Sequence, residues 1–402
     1  MAELVREQSG SARAYTPLEA FPEPVRTIFR AAVARADTNL AQPFKGITAD
    51  GTIVPDLFPL NRTGVSLAPV AAAARSFLAS LDPQERATAS FELENEWWRK
   101  WHNMHVFFFR HGVCLYDVDD AQRAAALEVV RSALSAAGFE NARNVMKLNE
   151  HIAELTGRRE EFGEWYYYLS IFGEPSETEP WGWQLDGHHL IINCFILGDQ
   201  LVLTPYFSGS EPVEAKSGKY AGTRVFEREE STGLALMKAL SPAQQERARI
   251  GAAPPRDVLT NAQLDNLELP AAGICWADLT PSQQELLLAV VDVFVGRIRP
   301  GHDTVRMEEV RAHLADTCFA WMGPCDDTSA FYYRIQSPVV LIEFDHLPGV
   351  AYDNTEPTRA HVHTIVRTPN GNDYGSDLLR QHYAQHDHSH PDTPHRRGSP
   401  AT

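Results

Sequence analysis

Trp181-Gly-Trp-Gln-Leu-Asp-Gly-His-His-Leu190 runs straight into Ile191-Ile-Asn-Cys-Phe-Ile-Leu197, so two tryptophans, an acid and two adjacent histidines stand at the mouth of a buried strand. Gly198-Asp199 then makes a two-residue turn, because glycine tolerates the positive φ that such a turn demands. His189–Leu197 and Gln200–Phe207 are therefore expected to pair antiparallel. A second dense passage, Leu341-Ile-Glu-Phe-Asp-His346 followed by His361-Val-His363, lies far along the chain. If the fold brings the two passages together, they make one site.

Outward from this centre, Glu164–Phe172 has the aromatic enrichment of a strand, and Tyr332–Gln336, Val339–His346 and His361–Arg367 read as further strands. Apolar residues at helical spacing predict helices over Thr27–Arg35, Val70–Leu81, Asp119–Ala137 (ending near Gly138), Pro281–Arg297, Asp303–Trp321 and Ser376–Tyr383. Leu81-Asp-Pro-Gln-Glu85, Leu240-Ser-Pro-Ala-Gln-Gln-Glu246 and Leu279-Thr-Pro-Ser-Gln-Gln-Glu285 share one grammar. Asp, Ser or Thr caps the first free amides, proline follows where its missing N–H does no harm, and Gln or Glu closes the turn. Asp50–Leu60, broken by Gly and Pro, reads as a covering loop. The expected fold is α+β, a central mainly antiparallel sheet with surrounding helices in a single large domain over residues 21–383. Residues 1–20 and the His/Pro-rich tail 384–402 are expected to be disordered.

Strand parity turns the histidines into a chemical argument. His361 and His363 share one side of a strand, as a metal-gripping HxH pair must, and Glu343 and Asp345 share one side of the preceding strand. Arg367 lies on the His361/His363 side by the same count. His189 has Ile191 and Asn193 on its side, whereas His188 has Leu190, Ile192 and Cys194, which favours His189 for the shared face. The candidate metal ligands are His189, His188, His361, His363 and Glu343. Asp345, Glu343 and Arg367 are the candidate catalytic groups, and Trp181, Trp183, Asn193 and Arg367 the candidate substrate contacts. Plainer roles compete: Arg367 can pair with Asp345 or Asp373, and the tryptophans can pack a core. His102 and His105 can share a helix face as ligands or line an aromatic core, while His386, His388, His390 and His395 read as solvated linker.

Two imidazoles from one strand, a third from another and one carboxylate suit a divalent transition metal. Zinc with an open position would bring the pKa of a bound water toward neutrality, with Asp345 or Glu343 as general base. Iron or copper on similar ligands would favour oxygen chemistry.

Composition removes several classes. The 402 residues carry a formal charge of −17 and a pI near 5.4, whereas nucleic-acid binders and proteins drawn to anionic membranes need clustered Lys and Arg. No segment approaches the ~20 apolar residues of a membrane span. Met1-Ala-Glu-Leu-Val-Arg-Glu-Gln lacks a signal-peptide core, and the scattered Cys114, Cys194, Cys275, Cys318 and Cys325 read as reduced, so a soluble cytoplasmic protein is expected. Phe207-Ser-Gly-Ser-Glu-Pro212 is not a GxSxG elbow, Gly371-Asn-Asp-Tyr-Gly375 lacks the lysine of a phosphate loop, and no GxGxxG follows a strand.

Trp181-Gly-Trp with Gly187-His-His-Leu190, Phe207–Pro212, Ser337-Pro-Val-Val-Leu-Ile-Glu-Phe-Asp-His346 and His361-Val-His-Thr-Ile-Val-Arg-Thr-Pro-Asn-Gly-Asn-Asp-Tyr-Gly375 occur in the order of a known pattern. Together they resemble the uncharacterised family catalogued as domain of unknown function 3500, over roughly residues 70–383. The resemblance implies that His188/His189, Glu343–His346 and His361/His363 belong to the family pattern, and it implies no reaction. The leading expectation from the residues is a metal-dependent hydrolase acting on a small or peptide-like substrate, without nucleic-acid or membrane partners. Its rivals are a metal-dependent oxidase or oxygenase in a specialised biosynthetic pathway and a non-catalytic ligand-binding protein.

Overall fold

The computed structural model describes residues 23–104, 109–349 and 351–385. His105, the tail histidines and the first twenty residues lie outside them. Among the described residues, helices form at α1 (Glu23–Leu40), α2 (Ala68–Ser80), α3 (Pro83–Ala89), α4 (Asp120–Ala133), α5 (Ala136–Thr156), α6 (Glu227–Ala239), α7 (Pro242–Ala248), α8 (Pro281–Val295), α9 (His302–Ala312) and α10 (Ser376–Gln385). Strands form at β1 (Ser90–Phe91), β2 (Val113–Cys114), β3 (Tyr167–Phe172), β4 (Trp181–Gly187), β5 (Leu190–Leu197), β6 (Gln200–Val202), β7 (Tyr206–Ser210), β8 (Arg249–Gly251), β9 (Ile274–Cys275), β10 (Cys318–Met322), β11 (Tyr332–Gln336), β12 (Leu341–His346) and β13 (Val362–Arg367).

These strands join in one sheet of order β1-β3-β4-β5-β7-β13-β12-β11-β10-β8, with β2, β6 and β9 off the path. Only β1 with β3 and β8 with β10 run parallel. The single α+β domain and mainly antiparallel sheet match the expectation. The three helix starts do as well: Asp82, Ser241 and Thr280 each accept from the backbone three residues on, and Glu85, Gln244 and Gln283 reach back to close the capping box.

Both faces of the sheet are covered, which is unusual for antiparallel strands. One face packs on helices: Trp181, Trp183, Leu185, Leu190, Ile192, Cys194, Ile342, Phe344, Val362 and Val366 enter a core shared with α2, α4, α5, α6 and α8. The other face carries Ile191, Phe207 and Ile365 under α1 and a layer of irregular chain that includes Trp97, Trp98 and Trp101. Irregular backbone brings amides and carbonyls with no ladder to join, and burying them unpaired would cost stability. Polar strand residues meet that need. Gln184 donates to the Trp98 carbonyl, Asn193 to that of Pro205, and Gln336 to that of Leu269.

Three expectations are corrected. Gly138 does not end a helix. The helix from Asp119 stops at Ala133, and Ser135 caps a second helix, α5, by accepting from the Gly138 amide. A Cβ at 138 would stand 2.3 Å from the Arg297 carbonyl oxygen, so close chain approach explains this glycine. The helix expected over Asp303–Trp321 ends at Ala312, and Cys318–Met322 is β10, whose buried Phe319 and Trp321 pack in the helix-side core. The cysteines are not all reduced: Cys275 and Cys318 form a disulfide across the β9–β10 pair, leaving Cys114, Cys194 and Cys325 free. Among the described residues no helix is long and apolar enough to cross a membrane.

Candidate metal centre

His188 and His189 occupy the two-residue turn between β4 and β5, since Gly187 pairs with Leu190. His189 adopts φ 61, a left-handed conformation rare for a residue with a Cβ. Its backbone is held on both sides, the amide donating to the Asn103 carbonyl and the carbonyl accepting from the Gly209 amide. Such backbone costs about 1–3 kcal/mol and persists where its surroundings over-determine it, often at functional sites. The turn leaves the two rings stacked but with different partners. His188 Nδ1 bonds to Asn149 Oδ1 of α5 at 2.7 Å, and the ring stacks on His189 with centroids 3.8 Å apart.

His189 meets His361 and His363. One nitrogen from each lies within 4.8 Å of the others, and all three residues are buried. His361 Nε2 stands 3.3 Å from His189 Nε2 and 3.1 Å from His363 Nε2. Metal–nitrogen bonds of about 2.0–2.1 Å at tetrahedral angles require edges of about 3.3 Å, so the spacing fits one divalent ion. The outer nitrogens explain why the inner ones point inward. His361 Nδ1 lies 2.6 Å from the Pro348 carbonyl, an acceptor only, so this nitrogen carries the proton. His363 Nδ1 lies 2.7 Å from Asp257 Oδ1. Carboxylate or carbonyl partners of this kind set the tautomer of metal-ligating histidines and raise their basicity. Burial, and then His363 beside it, lower the His361 pKa to about 3, keeping the ring neutral and its inward lone pair bare. The three facing nitrogens form a group that could hold one metal ion.

Gly209 makes this convergence sterically possible. It pairs with His363 across β7 and β13, and a Cβ there would meet His363 Cδ2 at 2.7 Å and His189 Cδ2 at 3.3 Å.

The carboxylates separate into three roles. Asp345 pairs across β12 and β13 with His363, is fully buried, and has no hydrogen-bond partner at either oxygen. Burial, then the charges of Asp257 and Glu343, push its pKa well above the carboxylate range. Glu343 is fully engaged: it accepts from the amides of Leu259 and Thr260, the Thr260 hydroxyl and the Tyr332 hydroxyl. It therefore anchors the 257–265 loop and stands outside the three-histidine cluster. Asp257, on that loop, is the carboxylate that reaches a ring.

Arg367 is likewise a scaffold. It donates to the Thr260 and Asn261 carbonyls and pairs with Asp265 and Asp373, which leaves no donor pattern open for a substrate. Trp181 and Trp183 point into the helix-side core, across the sheet from the histidines, so they do not wall the site. Asn193 lies on the histidine side, but Gln184 and the Pro205 carbonyl occupy its amide. His188 orients its neighbour, and His102 Nδ1 accepts from the Met104 amide, outside the cluster.

Sequence reasoning missed Asp257 and Gly209. Asp257 lies in Pro254-Pro-Arg-Asp257, a stretch without periodicity, and nothing local distinguishes it from a solvated loop acid. Gly209 could be singled out only once β7 was known to pair with the HxH strand.

A family model described as "Protein of unknown function (DUF3500)" matches residues 63–376, well over half of the chain and inclusive of every residue of this centre. No curated protein and no solved structure matches.

Proposed function

Because the chain belongs to the DUF3500 family, whose description assigns no reaction, we propose its function from the site alone: a metal-dependent hydrolase of a small or peptide-like substrate, with His189, His361 and His363 holding one divalent ion, zinc foremost. The observation that carries this reading is the convergence of three Nε2 atoms, two of them on rings whose outer nitrogens are held by Asp257 and Pro348. A bound ion would supply Lewis acidity and an acidified water. The chain's own residues supply the rest. Three protein ligands leave a coordination position open, as catalytic zinc sites do. In this reading Asp345, cross-strand from His363 and with a raised proton affinity, takes the proton released by the attacking water. Glu343 and Arg367 act only by fixing the Asp257 loop. The cytoplasmic location expected from the sequence is not carried into this proposal, because the Cys275–Cys318 disulfide suits an oxidising compartment.

The test is elemental analysis of protein purified without a histidine tag, alongside His361→Ala and His363→Ala. Zinc near one per chain, lost in each variant, is the expected result. Iron or copper instead would redirect the assignment to oxygen chemistry. No metal after reconstitution would remove both metal readings and leave the ligand-binding one.

A further inference from the structure

We infer a second binding site, on the face of the sheet opposite the three histidines, that takes a small uncharged molecule with one hydroxyl on an otherwise apolar body, a phenol or a short alcohol. The site is a largely enclosed cavity of about 50 Å³, measured as the space open to the centre of a water molecule. One water needs about 10–15 Å³ by that measure, so the cavity has room for roughly four waters or one small organic molecule. It lies where β6, β7 and the end of β13 meet α8, α9 and α10. Leu203, Phe294, Val305, Val366 and Leu378 give it apolar walls. Val366 pairs with Tyr206 on the helix side of the sheet, so the cavity is separate from the metal centre.

Most polar side chains in its wall are engaged. Thr204 and Thr368 bond each other at 2.7 Å, Arg306 donates to Thr368 and pairs with Glu309, and Asn372 accepts from the Leu378 amide. His302 differs. It is only 3% exposed, and its Nε2 lies 3.0 Å from the Asp199 carbonyl, an acceptor only, so this nitrogen carries the proton. Burial, partly offset by that bond, lowers the pKa of the ring and keeps it neutral. Nδ1 is then a bare acceptor, and it has no partner among the described residues. Tyr206 Oη also has none, but a phenol hydroxyl accepts as well as donates, so His302 alone fixes the polarity that a ligand must bring.

A buried acceptor without a partner is unfavourable, and a ligand hydroxyl relieves it while its apolar body fills the space between the walls. A carboxylate would bring lone pairs where a donor is needed. An ammonium would enter beside the Arg299 guanidinium, whose charge already acts on the His302 ring. The uncharged hydroxyl is the group that meets neither obstacle.

The test titrates phenol and toluene, matched in size, into the full chain and reads binding by calorimetry. A purely apolar cavity prefers toluene, because phenol would bury an unbonded hydroxyl there. Here phenol is expected to bind the more tightly, and His302→Leu to lose roughly fivefold or more in phenol affinity while toluene affinity stays within about twofold. In the wild type with isotopically labelled histidine, the nitrogen resonance of His302 Nδ1 should shift toward that of a protonated nitrogen with phenol and stay in place with toluene. That measurement decides the matter even where the variant does not fold. Toluene bound more tightly than phenol, a His302 Nδ1 resonance unmoved by phenol, or neither compound binding up to its solubility limit would overturn the inference. None of these outcomes bears on the metal centre.

Discussion

An alanine at position 209 would put its methyl carbon 2.7 Å from His363 Cδ2 and 2.8 Å from the Val362 carbonyl oxygen, distances that force the HxH strand or the ring to shift. Overpacking of this kind costs roughly 1–3 kcal/mol, so Gly209→Ala should fold with a lowered melting temperature. Metal content is where the larger effect is expected, because ligand atoms must hold position to a few tenths of an ångström. Retention of stoichiometric metal by a folded Gly209→Ala would show that the two imidazoles do not need this gap. At the same scale the count of two favoured His189 over His188 for the shared face, and His189 is the one whose ring nitrogen stands beside His361. The count could not foresee that His189 would reach its face from a left-handed turn rather than from the strand itself.

At the scale of elements, the centre is a meeting of the β4–β5 turn, β12, the start of β13 with the residue before it, and the 257–265 loop. The loop has no regular structure of its own, and Glu343 and Arg367 hold it by its amides and carbonyls. Arg367→Met should therefore do more than remove a charge. It leaves Asp373 buried without its cation and Asp265 with Arg99 alone, and breaking a buried pair from one side costs about 3–5 kcal/mol. It also frees Thr260 and Asn261, three and four residues from Asp257. We expect a large fall in the urea midpoint together with weakened metal binding. A variant of near wild-type stability would refute the scaffold role and return Arg367 to the candidates for substrate contact. Both residues had looked catalytic in the sequence, since a buried acid or arginine on the right face of a strand reads the same whether it meets a ligand or a loop.

For the whole molecule, burial on both sheet faces makes stability depend on pH through histidines that stay neutral. His111 is buried against Trp97 and bonded to Gln184, and desolvation lowers its pKa from 6.5 to about 4. Between those values the unfolded chain binds a proton that the folded chain does not, so stability rises with pH there. This contribution is complete above pH 6.5 and is lost as pH falls toward 4, by roughly 3 kcal/mol at most. Urea midpoints of the wild type and His111→Gln at pH 7 and pH 4.5 check this: the variant should lose less on acidification, and equal losses would exclude His111 as a source.

What the sequence determined alone was local or periodic: three capped helix starts, the central strands, the α+β class, and which side of β12 and β13 each polar residue faces. These follow from hydrogen bonds and side-chain alternation within a few residues. Only the tertiary structure decided which of the polar residues on that face stayed open. Glu343 and Arg367 were taken by peptide groups of the 257–265 loop, remote in sequence, Asn193 by the neighbouring Gln184 side chain and Pro205 carbonyl, and Asp257 was delivered to His363 from 106 residues away. Those pairings depend on where irregular chain crosses the sheet, and no period in the sequence encodes that crossing.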